Sequence, residues 1–207
     1  IGELLDRAHE ALINLNLQAQ QQVVQIQNMA NHDGLTSLYN RGYLERVLPQ
    51  YMDAAHKMNQ PLSVVFIDID HFKKINDLHG HQTGDFVLAS VAKILKSVLR
   101  ESDVVVRYGG EEFVCILPNA DERAARRVSD RMRTAIASQP PATVSGIAIE
   151  VTASFGCATT TAECPYESHT ELLEESDRCM YAAKRAGRNR VVASERLRPE
   201  PLRIISK

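Results

Sequence analysis

From Asn31 onward the chain predicts an α/β fold, or its α+β variant, with one central sheet between helices. Three observations carry this. Leu62-Ser63-Val64-Val65-Phe66-Ile67-Asp68-Ile69 is too rich in branched and aromatic residues for a surface strand and reads as a buried one. Val104-Val105-Val106 and Phe113-Val114-Cys115-Ile116-Leu117 are two further strand-like runs, separated by a short stretch with two glycines. Around them, apolar residues recur at helical spacing. Strands interleaved with helices imply helix layers on a sheet.

Taken in order, residues 1–30 stand apart as an N-terminal signalling helix. Leu5, Ala8, Leu12, Leu15, Ala19, Gln22, Ile26 and Met29 alternate steps of three and four, the seam of a coiled coil. Gln22 on that seam would fix register at some cost in stability. A single amphipathic helix packed on its own domain is the other reading of the same pattern. Residues 31–193 form the globular domain. Residues 40–58 read as helix, 62–69 as strand and 84–99 as helix, through Val87, Val91, Leu95 and Val98. A hairpin over 103–117 follows, its two glycines expected to supply positive φ at the turn. Ala125, Val128, Met132 and Ala135 mark a helix after Pro118. Residues 146–158 read as strand and 168–186 as a helix stopped by Gly187, with 189–193 a closing edge strand. The tail over 194–207, with Pro199 and Pro201, is expected to be loose.

Composition narrows the function classes. The net charge of −2 and pI near 6.4 give no basic footprint for nucleic acid. No apolar run approaches the roughly 20 residues that span a bilayer, and no signal-peptide pattern opens the chain. Cys115, Cys157, Cys164 and Cys179 show no C-x-x-C spacing and read as reduced thiols of a cytoplasmic protein. The chain begins at Ile1 rather than Met, as a piece of a longer protein would, and the parent's attachment, soluble or membrane-anchored, is open.

The chemistry concentrates at Arg107-Tyr108-Gly109-Gly110-Glu111-Glu112-Phe113, where a hairpin tip presents two adjacent carboxylates. Asp68 closes the apolar strand, and a lone buried charge there would be costly. If that strand lies beside the hairpin, Asp68, Glu111 and Glu112 converge. Three close carboxylates repel one another, and an oxygen-ligated divalent cation such as Mg²⁺ relieves them. Asp68 could equally cap the next helix, as could Asp70. His79 and His81 have no further ligands beside them and do not make a zinc site. Lys184 and Arg188, four apart at a helix end, could share a face or serve the helix dipole.

Six ordered blocks carry a resemblance: HDGLTSLYNR (32–41), FIDIDHFKKIND (66–77), HGHQTGDFVL (79–88), RESDVVVRYGGEEF (100–113), VTASFGCA (151–158) and MYAAKRAGRNRV (180–191). Over roughly residues 30–193 the chain resembles the GGDEF-domain diguanylate cyclase family. Glu111 stands at the third signature position and His79 where an aromatic is usual. The resemblance implies a roughly five-stranded sheet flanked by helices, akin to nucleotidyl cyclase and polymerase palm domains. It implies an enzyme condensing two GTP into cyclic di-GMP and two pyrophosphates. Two Mg²⁺ or Mn²⁺ ions per active site would be held by Asp68, the Ile69 carbonyl and Glu111, with Glu112 assisting.

The resemblance further assigns Asn76 and Asp85 to guanine. A carboxylate can accept from both guanine N1 and N2, an edge that adenine lacks; capping of a nearby helix is the plain alternative for Asp85. His71, Phe72 and Lys73 match a phosphate loop whose main-chain N–H groups cradle anions. Gly109 and Gly110 belong to the substrate site, and Lys184 and Arg188 fall to the triphosphate. Arg100 and Asp103, an R-x-x-D ahead of the signature, match the family's product-inhibition site, which Arg131 could complete from a neighbouring domain. On spacing alone they could be a surface ion pair. The two-fold symmetric product demands a head-to-head homodimer, and the N-terminal coiled coil would raise the effective concentration of the two domains. Neither nucleic acid nor membrane is an expected partner of this segment. The rival functions are a catalytically silent cyclic di-GMP receptor, a cyclase of relaxed base choice, and a coiled-coil scaffold.

Overall fold

The structure, a computed structural model, describes residues 30–139 and 148–195, with His9, 13–18 and Gln20 of the N-terminal segment. Elements run in the order β1 (Tyr39–Asn40), α1 (Arg41–Met58), β2 (Leu62–Ile69), α2 (Phe72–His79), α3 (His81–Val98), β3 (Val104–Gly109), β4 (Glu112–Pro118), α4 (Glu122–Ser138), β5 (Ala153–Thr160), α5 (His169–Arg185) and β6 (Val191–Ala193).

The six strands form one sheet in the order β1-β3-β4-β2-β5-β6. The apolar run over β2 lies at the interior of the sheet, antiparallel to β4 on one side and to β5 on the other. All eight of its residues are buried. Because side chains alternate across a strand, β2 feeds two cores. Val65, Ile67 and Ile69 meet Phe72, Ile75, Val87, Leu95, Met132 and Ile136 from α2, α3 and α4. Leu62, Val64 and Phe66 meet Leu44 and Leu48 of α1 and Leu172 and Met180 of α5. The fold is a mixed α/β, palm-like layering.

The sheet has six strands rather than about five. Two-residue β1 carries no readable pattern and exists because Tyr39 and Asn40 pair in parallel with Val106 and Arg107. Asn40 then caps α1, its side chain accepting from Tyr43 N–H. Residues 72–79, a polar stretch by sequence, are helical; Phe72 and Ile75 are the buried side chains of α2, too few to show a period. Gly80, at φ 82°, separates α2 from α3, which starts at His81 rather than at 84. Strand β5 starts at Ala153, later than the expected 146, and part of that stretch lies outside the described residues. The hairpin glycines differ from expectation too: neither Gly109 nor Gly110 has positive φ. Gly110 and Glu111 make the turn, and a register shift falls just ahead of it between Arg107 and Gly109.

Of the coiled-coil seam, Leu15 alone falls within the described residues; its backbone is helical and its side chain 65% exposed. The tail from residue 196 lies outside them. Among the described residues no helix is long and apolar enough to cross a membrane.

Candidate active site

Strand pairing assembles the carboxylates. Asp68 of β2 sits directly opposite Glu112 of β4, and Ile69 N–H donates to the Glu111 carbonyl at 3.3 Å, tying the end of β2 to the hairpin turn. The Asp68 side chain is 6% exposed. Its Oδ2 lies 2.6 Å from Lys184 Nζ, in the last turn of α5, while its Oδ1 is buried without a hydrogen-bond partner. Burial pushes the carboxyls of Asp68, Glu111 and Glu112 above their usual range. For both glutamates the charge of Asp68 pushes further, while Lys184 pulls all three down. Asp177, two helical turns back from Lys184 on α5, joins this field; burial raises its carboxyl and Lys184 opposes the rise. Sequence reasoning missed Asp177, which reads there as one more acidic residue of a solvated helix.

Among the described residues no three His, Cys, Asp or Glu groups already converge as metal ligands. The Lys184 ammonium instead supplies the positive charge that Asp68 demands. The donor set nonetheless fits a hard divalent cation: an unpartnered buried oxygen on Asp68, two glutamates held at raised pKa, and oxygen donors throughout.

Beside the cluster, His71 takes a left-handed conformation (φ 59°) ahead of α2. This opens a turn through His71, Phe72 and Lys73; Phe72 is buried, and His71 and Lys73 are exposed. Gly110 has open space where a Cβ would stand, so a ligand can approach its backbone closely, whereas Gly109 is covered by Glu112 Oε2. Asn76 lies on α2 with its Oδ1 buried and unpartnered against Gly84. Asp85 is exposed in the second turn of α3, so it caps no helix. Arg188 does not share a helical face with Lys184. It lies beyond α5, exposed, in a left-handed turn (φ 60°) after Gly187.

Arg100 and Asp103 form a closed turn. Arg100 N–H donates to Asp103 Oδ2 at 2.9 Å and Asp103 N–H returns to the Arg100 carbonyl at 3.0 Å. The turn borders a cavity of about 280 Å³ lined by His32, Tyr39, Lys96, Arg100 and Asp103 among others. Arg131 of α4 reaches the Val98 carbonyl at 3.5 Å, two residues before Arg100.

The family model "Diguanylate cyclase, GGDEF domain" matches residues 30–190. The chain belongs to the GGDEF diguanylate cyclase family. Among GGDEF relatives, diguanylate cyclase DosC of Escherichia coli (strain K12) is 38% identical over 159 residues, covering 77% of this chain and 34% of that protein. The coiled coil and GGDEF domain of DgcB from Caulobacter crescentus, solved in complex with c-di-GMP, superposes with a TM-score of 0.84 at 30% identity, covering 92% of this chain and 99% of that one. The active GGEEF domain of a diguanylate cyclase from Vibrio cholerae gives a TM-score of 0.69 at 32% identity over 74% of this chain and 96% of that one. The chain spans between 28% and 47% of the length of the curated relatives it matches, so this GGDEF domain corresponds to one part of proteins of that size.

Proposed function

We propose that this chain condenses two GTP molecules into cyclic di-GMP with release of two pyrophosphates, working as a head-to-head homodimer. The observation that carries the proposal is the register of Asp68 opposite Glu112, with Glu111 at the turn and Lys184 in contact. Asp68, the Ile69 carbonyl and Glu111, with Glu112 beside them, would hold Mg²⁺ or Mn²⁺, two ions per site. Bound there, the ions supply Lewis-acid activation of a ribose 3′-hydroxyl and neutralise charge on the leaving phosphates.

The residues of the chain do the rest. Main-chain N–H groups of His71, Phe72 and Lys73, with the exposed Gly110 backbone, cradle the phosphates. Lys184, here on Asp68, would supply its charge to the triphosphate, and Arg188 meets the same phosphates from beyond α5. Asn76 and Asp85 read the guanine edge. The 3′-hydroxyl oxygen of one nucleotide attacks the α-phosphorus of the other. Its proton passes to the Glu111 carboxylate, and the bond from the α-phosphorus to the bridging oxygen breaks with its electron pair going to pyrophosphate. The partner half repeats the step and closes the ring.

The exposed Leu15 supports a coiled-coil contact between two copies through residues 1–30, ahead of a cyclase domain over 31–193 and a tail over 194–207. The product would return to Arg100 and Asp103, with Arg131 contributed by a second domain, and hold the two active sites apart.

Chromatographic product analysis after incubation with GTP and Mg²⁺ tests the reading, with Glu111→Gln as the parallel sample. Cyclic di-GMP from the native protein and none from the variant is the expected result. A native dimer that binds cyclic di-GMP yet yields no product at any GTP concentration would replace this reading with that of a receptor.

A further inference from the structure

Asp70 follows the strand that carries Asp68 by one residue, yet its carboxylate is taken up by hydrogen bonds to other segments. It is 4% exposed and all its contacts run to other segments. Oδ1 accepts from Ser154 Oγ at 2.7 Å. Oδ2 accepts from Thr152 Oγ1 at 2.7 Å and from the backbone N–H of Asn189 at 3.0 Å. Its own N–H donates to the Thr152 carbonyl at 2.8 Å. Asp70 therefore caps no helix; it joins the end of β2, the entry to β5 and the loop after α5.

That loop is conformationally unusual. Arg188 and Asn189 are consecutive non-glycine residues at positive φ, 60° and 43°. Such backbone persists only where its surroundings hold it. The holds are few and specific: Arg188 N–H donates to the Ala183 carbonyl at 3.0 Å, Arg190 Nε to the Arg188 carbonyl at 3.1 Å, Arg133 Nη1 to Asn189 Oδ1 at 3.1 Å, and Asn189 N–H to Asp70. The bond to Asp70 is charge-assisted and buried on its acceptor side, the strongest kind available to a main-chain donor.

We propose that Asp70 is a positioning residue for nucleotide binding, fixing the left-handed turn that presents Arg188 to the phosphates. The inference rests on the reading that Arg188 faces the triphosphate. Asp70 precedes His71 directly, so one carboxylate ties the turn after β2 to the loop after α5. The two phosphate-facing segments are thereby set at a fixed separation before GTP arrives, which lowers the ordering cost of binding.

Asp70→Asn keeps shape and one acceptor but loses the charge and one acceptor oxygen. The test measures steady-state kinetics and calorimetric binding of a non-hydrolysable GTP analogue in Mg²⁺ buffer, for native protein, Asp70→Asn, Arg188→Ala and the double variant. The expected result is a rise of about tenfold in KM and analogue Kd for Asp70→Asn, with kcat within about threefold. In the Arg188→Ala background the same substitution should raise KM by much less, because the side chain that the turn presents is gone. A merely structural role would lower Tm while leaving the analogue Kd intact, or would add its full effect to Arg188→Ala; either outcome overturns the proposal. Native protein that binds no GTP analogue overturns both this inference and the proposed function, whereas normal native binding with an unaffected Asp70→Asn overturns this inference alone. A measurement on the native protein guards against a variant that fails to fold: Asn189 N–H should exchange slowly with solvent, and exchange at the rate of an open loop amide would sink the idea.

Discussion

Arg107 grips Asp33 across 74 residues of sequence. Its Nη1 lies 3.1 Å from both carboxylate oxygens, while Nε and Nη2 of the same guanidinium donate to the Gly110 carbonyl at 3.2 and 2.8 Å. Asp33 also accepts from Thr36 N–H and Oγ1. One arginine thus clamps the loop where the globular domain begins to the turn that carries Glu111.

The first prediction concerns this clamp. Both side chains are largely shielded, at 17% and 23% exposure, so the pair exceeds an ordinary surface ion pair. Arg107→Ala should cost about 1–3 kcal/mol in urea unfolding at pH 7 and slow cyclic di-GMP formation, because the Glu111 turn loses its tether. Burial alone would raise the Asp33 carboxyl, but hydrogen bonds from Thr36 and the charge of Arg107 outweigh it and hold the group below its usual range. A depressed carboxylate stabilises the fold above the unfolded-state pKa of about 4 and stops doing so as pH falls through the lower folded value. The stability gap between native and Arg107→Ala should therefore be full at pH 7 and shrink below about pH 4. A gap independent of pH would contradict the pairing.

The second prediction concerns how closely α5 approaches the sheet. A Cβ on Gly156 would stand 2.1 Å from both Met180 N and the Ser176 carbonyl oxygen, backbone atoms of α5 that cannot swing aside. Gly156→Ala should therefore destabilise by about 3 kcal/mol or more. Since α5 also carries Lys184 and Asp177, the variant should lose GTP binding even where it remains folded. Urea unfolding together with a binding assay on the folded fraction checks both effects.

These two contacts mark where the sequence stops being readable. The buried strand β2, the hairpin and the helix stop at Gly187 follow from local pattern, because apolar content, period and turn residues are properties of short windows. The meeting of Asp68 with Glu112 was legible only conditionally: each residue marks itself, but their adjacency is a fact of strand order. Asp33 with Arg107, and Gly156 under α5, leave no local trace at all. Short elements held by neighbours were invisible for the same reason, as with β1 and α2. The glycines of the signature misled: their lack of a side chain matters at Gly110 for open approach to the backbone rather than for positive φ.

The third prediction sets stability against function at Glu111. Its carboxyl is raised first by burial and then by the charge of Asp68, so the ionised form costs the apo protein stability. Glu111→Gln should raise the apo unfolding free energy at pH 7, by no more than about 1 kcal/mol given its partial exposure to solvent, and with it the apo Tm. Adding Mg²⁺ with a GTP analogue should raise Tm in the native protein by mass action and do so much less in the variant. Equal ligand-induced shifts would remove Glu111 from the metal site.

The fourth prediction separates packing from recognition on α2 and α3. A Cβ on Gly84 would fall 1.9 Å from Asn76 Oδ1 and 3.2 Å from Phe72 Cζ. Unlike the contact at Gly156, the nearest atom is the far end of a side chain and can rotate away. Replacing a helical glycine by alanine also gains about 1 kcal/mol in helix propensity. Gly84→Ala should consequently change stability by less than about 1 kcal/mol in either direction. Asn76, however, must give up its present rotamer, and if it reads guanine the half-saturating GTP concentration should rise about tenfold through the lost hydrogen bond. Loss of stability without loss of GTP affinity would assign Asn76 to packing alone. Loss of affinity at unchanged stability would place it in the nucleotide site, and the same variant assayed with ATP would show whether the contact discriminates between bases.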